Sequence, residues 1–213
     1  MKNKIGLLGG TFNPVHHGHI ELGQRVLNAF NLNKILYIIS ANPPHKNTVD
    51  LPPAPVRWEM LKRALTSFPN LVPCDVEMKR SNPSWTYRTI NILKSQYSGQ
   101  NFYFLSGSEG FLKIKTWKNY RKLLSSVFFI VILRKGGHKE KLETLLKEEN
   151  VSFCYDQNSS PALPCIHFYS YESDKLQLSS TLIREKIQVC ESVGKLVPKE
   201  VLKFMKENNL YGF

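Results

Sequence analysis

Two histidines three residues apart, His16 and His19, end the segment Gly9-Gly10-Thr11-Phe12-Asn13-Pro14-Val15-His16-His17-Gly18-His19. At that spacing around a helix start, both imidazoles can converge on one phosphate. The glycine pair lets the backbone run close to a ligand in conformations closed to other residues. A strand-to-helix turn also turns backbone N–H groups and the positive end of a helix dipole toward an anion. Gly18, between the histidines, would leave room for that phosphate or for a nucleobase. The alternative chemistry is metal ligation, but no third ligand stands nearby in sequence. A glycine turn alone would be structural; glycine pair, histidine pair and helix together are much rarer by chance.

A second anion-binding pattern lies near the other end. Ser179-Ser180-Thr181-Leu182-Ile183-Arg184 opens a strongly helical stretch. Serine and threonine are favoured N-caps, and an uncovered helix N-terminus attracts phosphate. Arg184, one turn in, can add a charge-assisted fork to the same anion. Taken alone, the pattern is equally an ordinary cap followed by a surface arginine.

Three further segments have the composition of a binding loop. Ala41-Asn42-Pro43-Pro44-His45-Lys46 is stiffened by prolines and carries a cation. Asn82-Pro83-Ser84-Trp85-Thr86-Tyr87-Arg88-Thr89 opens a helix, and Gly107-Ser108-Glu109 is followed by Trp117. Each has an ordinary structural explanation: a surface turn, a helix cap, a core tryptophan.

The N-terminal segment resembles the GGTFDPxHxGH signature of the bacterial nicotinate-nucleotide adenylyltransferases, within the HxGH nucleotidyltransferase superfamily. The C-terminal segment resembles that superfamily's SSTxIR motif, and the middle segments are similar to the family's ANxPPHK, GPSYTxDT and GxD…W stretches. The likeness runs from near residue 4 to Leu210-Tyr211. It implies that ATP and nicotinate mononucleotide are the substrates, with magnesium arriving on ATP and no tightly bound cofactor or protein metal site. It implies catalytic roles for His16, His19 and Arg184, with Gly9, Gly10, Thr11, Phe12, Gly18, Gly107, Glu109, Ser179, Ser180 and Thr181 at the ATP site. For the mononucleotide it implies Asn42, His45, Lys46 and Arg134, a stacking face on Trp117, and backbone donors at Thr86 and Lys118 for the carboxylate. The sequence departs from the family at Asn13 and Glu109, each in place of aspartate, and at Arg88, where the charge is reversed. The loop at Asn42 is one residue shorter.

The elements that must hold these residues alternate. Lys4 to Leu8, Lys34 to Ser40, Leu71 to Met78, Asn101 to Ser106 and Val127 to Leu133 read as strands, with weaker ones at Val151 to Tyr155 and Ile166 to Tyr169. Helices are expected at Gly18 to Phe30, Pro55 to Phe68, Thr86 to Tyr97 and Lys139 to Glu149, with two more closing the chain. That alternation predicts an α/β fold, a parallel sheet with covering helices. With the resemblance it becomes a Rossmann-like doubly wound sheet in one domain over residues 1–213, with a small helical part from about 179.

Bulk composition narrows the classes. With 29 Lys+Arg against 17 Asp+Glu, the formal charge is +12, a field that concentrates anions. A nucleic-acid role would rest on that charge alone, because no recognisable module accompanies it. No segment has the length of a membrane-spanning helix. Four cysteines without a CxxC pair argue against a zinc ribbon or a disulfide framework and suit a reducing cytoplasm. An oligomer is left open.

Overall fold

The computed structural model describes residues 3–43, 51–80, 83–133, 138–155 and 164–213. In chain order the elements are β1 (Lys4–Gly10), α1 (His17–Ala29), β2 (Lys34–Ile39), α2 (Ala54–Leu65), β3 (Leu71–Cys74), α3 (Thr86–Gln96), β4 (Asn101–Gly107), α4 (Ser108–Phe111), α5 (Tyr120–Leu124), β5 (Phe128–Ile132), α6 (Lys139–Glu148), β6 (Phe153–Cys154), β7 (Ile166–Tyr169), α7 (Ser180–Gln188) and α8 (Lys199–Glu207). Short 3₁₀ turns lie at Ile114–Thr116, Asp174–Gln177 and Leu210–Gly212.

The seven strands form one sheet in the order β3-β2-β1-β4-β5-β7-β6, and every pairing is parallel. Alternation along each strand sends side chains to two separate cores. Tyr37, Ile39, Tyr103, Leu105 and Ile130 face α1, α2, α7 and α8. Leu7, Leu36, Ile38, Phe104 and Phe129 face α3, α4, α5 and α6. Strands covered on both sides must be apolar at nearly every position, as β5 is. The doubly wound expectation holds, and side chains of α7 and α8 lie in the first core.

The order 3-2-1-4-5 puts the reversal of winding between β1 and β4. In such sheets the crevice outside the carboxyl ends of those two strands is where ligands bind. Gly9-Gly10 ends β1 and Gly107 ends β4, so both glycine segments open on that crevice.

Two strands are shorter than their sequence pattern. The alternation Val72, Cys74, Val76, Met78 reads as one strand, but β3 stops at Cys74 and the chain turns, with Met78 N–H bonded to the Asp75 carbonyl at 2.9 Å. Pro73 is tolerated because β3 is an edge strand. β6 keeps two residues of the Val151 to Tyr155 stretch. α1 lies so close to β2 that a Cβ at Gly23 would sit 2.0 Å from the Tyr37 hydroxyl. That hydroxyl donates to the His19 carbonyl at 2.8 Å, fixing the first turn of α1 to the sheet.

Candidate functional site

The glycine–histidine loop is built so that its two imidazoles lie face to face. His16 is the N-cap of α1 with extended backbone, and its N–H donates to His19 Nδ1 at 3.3 Å. The ring centroids are 3.7 Å apart at 31°. Because Nδ1 of His19 accepts, its proton sits on Nε2, and that nitrogen is the one that presents a donor. His16 is buried and His19 half-buried. Phe12, in the left-handed region at φ 46°, packs edge-on against His19 with ring centroids 5.1 Å apart.

Gly18 has a different use from the one expected. A Cβ there would lie 2.5 Å from the Lys175 carbonyl oxygen and 3.0 Å from His16 Nδ1. The space is filled by the Asp174–Gln177 turn and the His16 ring rather than open to a phosphate or base. The backbone N–H of His17 is bonded to the Leu196 carbonyl at 3.0 Å. Burial, helped by Lys175, holds its imidazole below the usual 6.5, against a backbone hydrogen bond at Val197. The folded state therefore resists a proton that the unfolded chain accepts. The contribution of His17 to stability should be complete above pH 6.5 and fall as pH drops below it. His17→Asn should flatten that decline in thermal midpoint; an unchanged pH profile would remove His17 as its source.

The C-terminal motif docks directly on this loop. Ser179 caps α7 by accepting from Leu182 N–H at 3.1 Å. Ser180 Oγ donates to the Pro14 carbonyl at 2.9 Å, and Arg184 Nη1 donates to the Asn13 carbonyl at 2.8 Å. Arg184 Nη2 also reaches Thr181 Oγ1 at 3.4 Å. Residues more than 160 positions apart thus share one end of the sheet, with the guanidinium held three residues before His16. The seryl hydroxyls are engaged by protein partners. Asn13, where the family has aspartate, accepts from the Tyr211 hydroxyl at 2.5 Å. Its amide oxygen does there what a carboxylate oxygen would do.

Beside the loop, at the β1–β4 crevice, lies a cavity of about 680 Å³. Gly9, Gly10 and Thr11 form one wall; Gly107, Thr86, Thr89 and Trp117 form the other. Trp117 is half-buried, in T-shaped contact with Phe104 at 5.8 Å. Thr86 is the first residue of α3, so its backbone N–H lies at the helix's positive end. Lys118 is exposed; its ammonium lies 5.6 Å from the centre of the Trp85 ring, and the Arg88 guanidinium 4.7 Å from it. Glu109 is exposed in the first turn of α4, with a carboxylate oxygen beside Gly107. The Asn42 N–H bonds to Ser84 Oγ at 3.0 Å, joining the two binding loops. His45, Lys46 and Arg134 lie outside the described residues.

Three residues that the sequence did not single out shape the site. Arg57, on α2, is 1% exposed. Its guanidinium donates to the carbonyls of Pro52, Thr11, Ser40 and Ala41 at 2.8–3.2 Å. It ties the loop after β1 to the loop after β2. Glu77 lines the cavity and accepts from Thr89 Oγ1 at 2.5 Å. Among the described residues, its other oxygen is buried without a hydrogen-bond partner. Lys113 adds a cation to the rim. The available signal for Glu77 was a carboxylate just beyond a parallel strand's carboxyl end, hidden by the apolar alternation around it.

Comparison with known proteins identifies the family. The cytidylyltransferase-like family model matches residues 7–186. A Clostridium botulinum (strain Okra / Type B1) protein named "Probable nicotinate-nucleotide adenylyltransferase" is 33% identical over 211 residues, covering 99% of this chain and all of that one. A Clostridium acetobutylicum protein of the same name is 31% identical over the same span. The Plasmodium falciparum nicotinic acid mononucleotide adenylyltransferase complexed with NaAD superposes with a TM-score of 0.79 at 20% identity, over 99% of this chain and 98% of that one, which bears on the fold. The chain belongs to the cytidylyltransferase-like family and, within it, to the nicotinate-nucleotide adenylyltransferases.

Proposed function

We propose that the chain, acting as a single nucleotidyltransferase domain, transfers the adenylyl group of ATP to nicotinate mononucleotide. The products are nicotinate adenine dinucleotide and pyrophosphate, a step of NAD biosynthesis in the cytoplasm. One observation carries this reading: the histidine pair and Arg184 gather on the loop after β1, whose first residues, Gly9, Gly10 and Thr11, wall a cavity shared with Trp117 and the start of α3. A triphosphate and a flat aromatic acid would thereby meet at one point.

In the reaction an acceptor phosphate oxygen attacks the α-phosphorus in line. The bond from that phosphorus to the bridging oxygen breaks, and pyrophosphate leaves with the electron pair. The acceptor phosphate is already ionised, so no strong base is required. Catalysis then consists of aligning two anions and neutralising the charge that builds between them. His19 Nε2–H and the neighbouring His16 act at the transferring group. Arg184 and the backbone N–H groups at the start of α7 receive the leaving phosphates. Gly9, Gly10, Thr11, Phe12 and Gly107 shape the ATP side of the crevice.

On the acceptor side, Trp117 offers the pyridine ring a π face. The backbone N–H groups of Thr86 and Lys118 meet its carboxylate, with Arg88 and Lys118 raising the local positive potential. The open oxygen of Glu77 accepts from a sugar hydroxyl. Asn42, His45, Lys46 and Arg134 belong to the same side on the strength of the family motifs. Magnesium fits as a guest of the nucleotide: His16, His19 and Arg184 are not a cage of hard oxygens, so the phosphates themselves would hold it. When bound, it supplies further charge neutralisation.

The test is product analysis with ATP, magnesium and nicotinate mononucleotide. The expected result is equimolar pyrophosphate and dinucleotide, with far slower release when the acceptor is nicotinamide mononucleotide or phosphopantetheine. A faster reaction with either alternative would reassign the acceptor. ATP binding without any product would make the chain a nucleotide sensor.

A further inference from the structure

β6 and β7 are neighbours at one edge of the sheet, with Cys154 directly opposite His167. Cys165 lies two residues before His167, so strand alternation places it on the same face. The outcome is a cluster that sequence spacing concealed. Cys154 Sγ is 3.9 Å from Cys165 Sγ and 3.2 Å from His167 Nδ1, while Cys165 Sγ is 3.4 Å from His167 Nε2. His167 and Cys165 are buried and Cys154 half-buried. None of the three lines the nucleotide cavity.

We propose that Cys154, Cys165 and His167 form a zinc site, separate from the nucleotide crevice, with its fourth position left to an exogenous ligand. Metal–sulfur bonds of about 2.3 Å and metal–nitrogen bonds of about 2.05 Å at tetrahedral angles require sulfurs about 3.8 Å apart and sulfur–nitrogen distances of about 3.5 Å. The sulfur–sulfur spacing and the Cys154 Sγ–His167 Nδ1 distance lie within about 0.3 Å of those values. Cys165 Sγ faces Nε2 instead, and with one donor atom from each residue the three lie within 4.8 Å of one another. A turn of the ring or of the Cys165 side chain must therefore bring both sulfurs to one nitrogen. A disulfide would instead need the sulfurs at about 2.05 Å. Two thiolates and one imidazole are soft and borderline donors, which select zinc over magnesium or calcium. Charge favours the same ion: two thiolates and one divalent cation sum to zero, whereas a lone buried thiolate is uncompensated. Among the described residues these three are the metal-type cluster, and no fourth ligand joins them. The ion would clamp the two-residue strand β6 onto β7.

Cobalt(II) titration of the full-length protein under reductant and without oxygen tests the site. Zinc back-titration of the cobalt complex then gives the zinc affinity. The expected result is about one equivalent bound, with a thiolate-to-cobalt charge-transfer band in the near ultraviolet that zinc abolishes. Cys154→Ser, Cys165→Ser and His167→Gln should each lose the band and weaken zinc binding by about 100-fold or more, beyond the effect of losing an outer-shell partner. The double variant Cys74→Ser/Cys190→Ser should keep both, showing that the other cysteines are bystanders. A folded wild-type protein with no charge-transfer band overturns the proposal. So does a Cys154–Cys165 disulfide in protein isolated without reductant that also resists metal loading after reduction.

Discussion

His19→Ala lowers turnover by about 100- to 1,000-fold, the scale on which removal of one preorganised donor to a transition state is felt. The geometry explains why the loss should fall on turnover rather than on the fold. His19 is half-buried, and its Nδ1 accepts from the His16 N–H at 3.3 Å. Losing that cap costs about 1 kcal/mol. In the proposed reaction its Nε2 proton is the part that acts on the transferring group. Equilibrium binding of ATP, measured with a non-hydrolysable analogue, should change much less than turnover. His19→Gln, which keeps a donor on a flexible stem, should recover part of the loss. Near-normal turnover in the alanine variant would exclude His19 from the reaction.

The second large effect belongs to Arg57, and it should appear first in stability. Arg57→Met removes a guanidinium that satisfies four buried or partly buried carbonyls and has no carboxylate among those partners. Each acceptor left dry costs about 1–3 kcal/mol, reduced where water can enter. A net loss of about 3–5 kcal/mol is expected, which for a chain of this length lowers the thermal midpoint by roughly 10 °C. Two of the four carbonyls, those of Thr11 and Ser40, belong to residues that line the nucleotide cavity. Turnover per substrate bound should therefore fall by about 10- to 100-fold even at temperatures where the variant stays folded. Arg57→Lys should be intermediate, because a compact ammonium cannot span the same carbonyls. A methionine variant as stable and active as the parent would mean the carbonyls find other partners.

Much of the fold was legible because period and boundaries agreed. Ile35 to Ile39 and Val127 to Leu133 are continuous apolar runs, as expected of strands covered on both faces. Boundaries failed where a local rule was overruled by position. The alternation through Met78 predicted a longer β3, yet beyond Cys74 the chain leaves the sheet and turns Glu77 toward the cavity. The short helices α4 and α5 carry too few residues to show a period.

The cap expected at Ser179 is present, but Gly9 and Gly10 end β1 without the special backbone conformation that a glycine pair suggests, and a Cβ at Gly9 would meet only the Phe104 ring at 3.8 Å. The site was unreadable where one buried side chain serves distant carbonyls. Nothing around Arg57 in sequence announces Thr11 or Ser40, 46 and 17 residues away. The cysteine–histidine cluster was hidden for a related reason, since register between strands, not spacing along one, brings it together.

The tight seating of the first helix on the second strand has an evolutionary consequence. With the Tyr37 hydroxyl occupying the volume that any side chain at position 23 would claim, the two sites cannot drift independently. A Gly23→Ala substitution would displace the Tyr37 hydroxyl from the His19 carbonyl unless residue 37 shrinks with it, so the two positions are coupled.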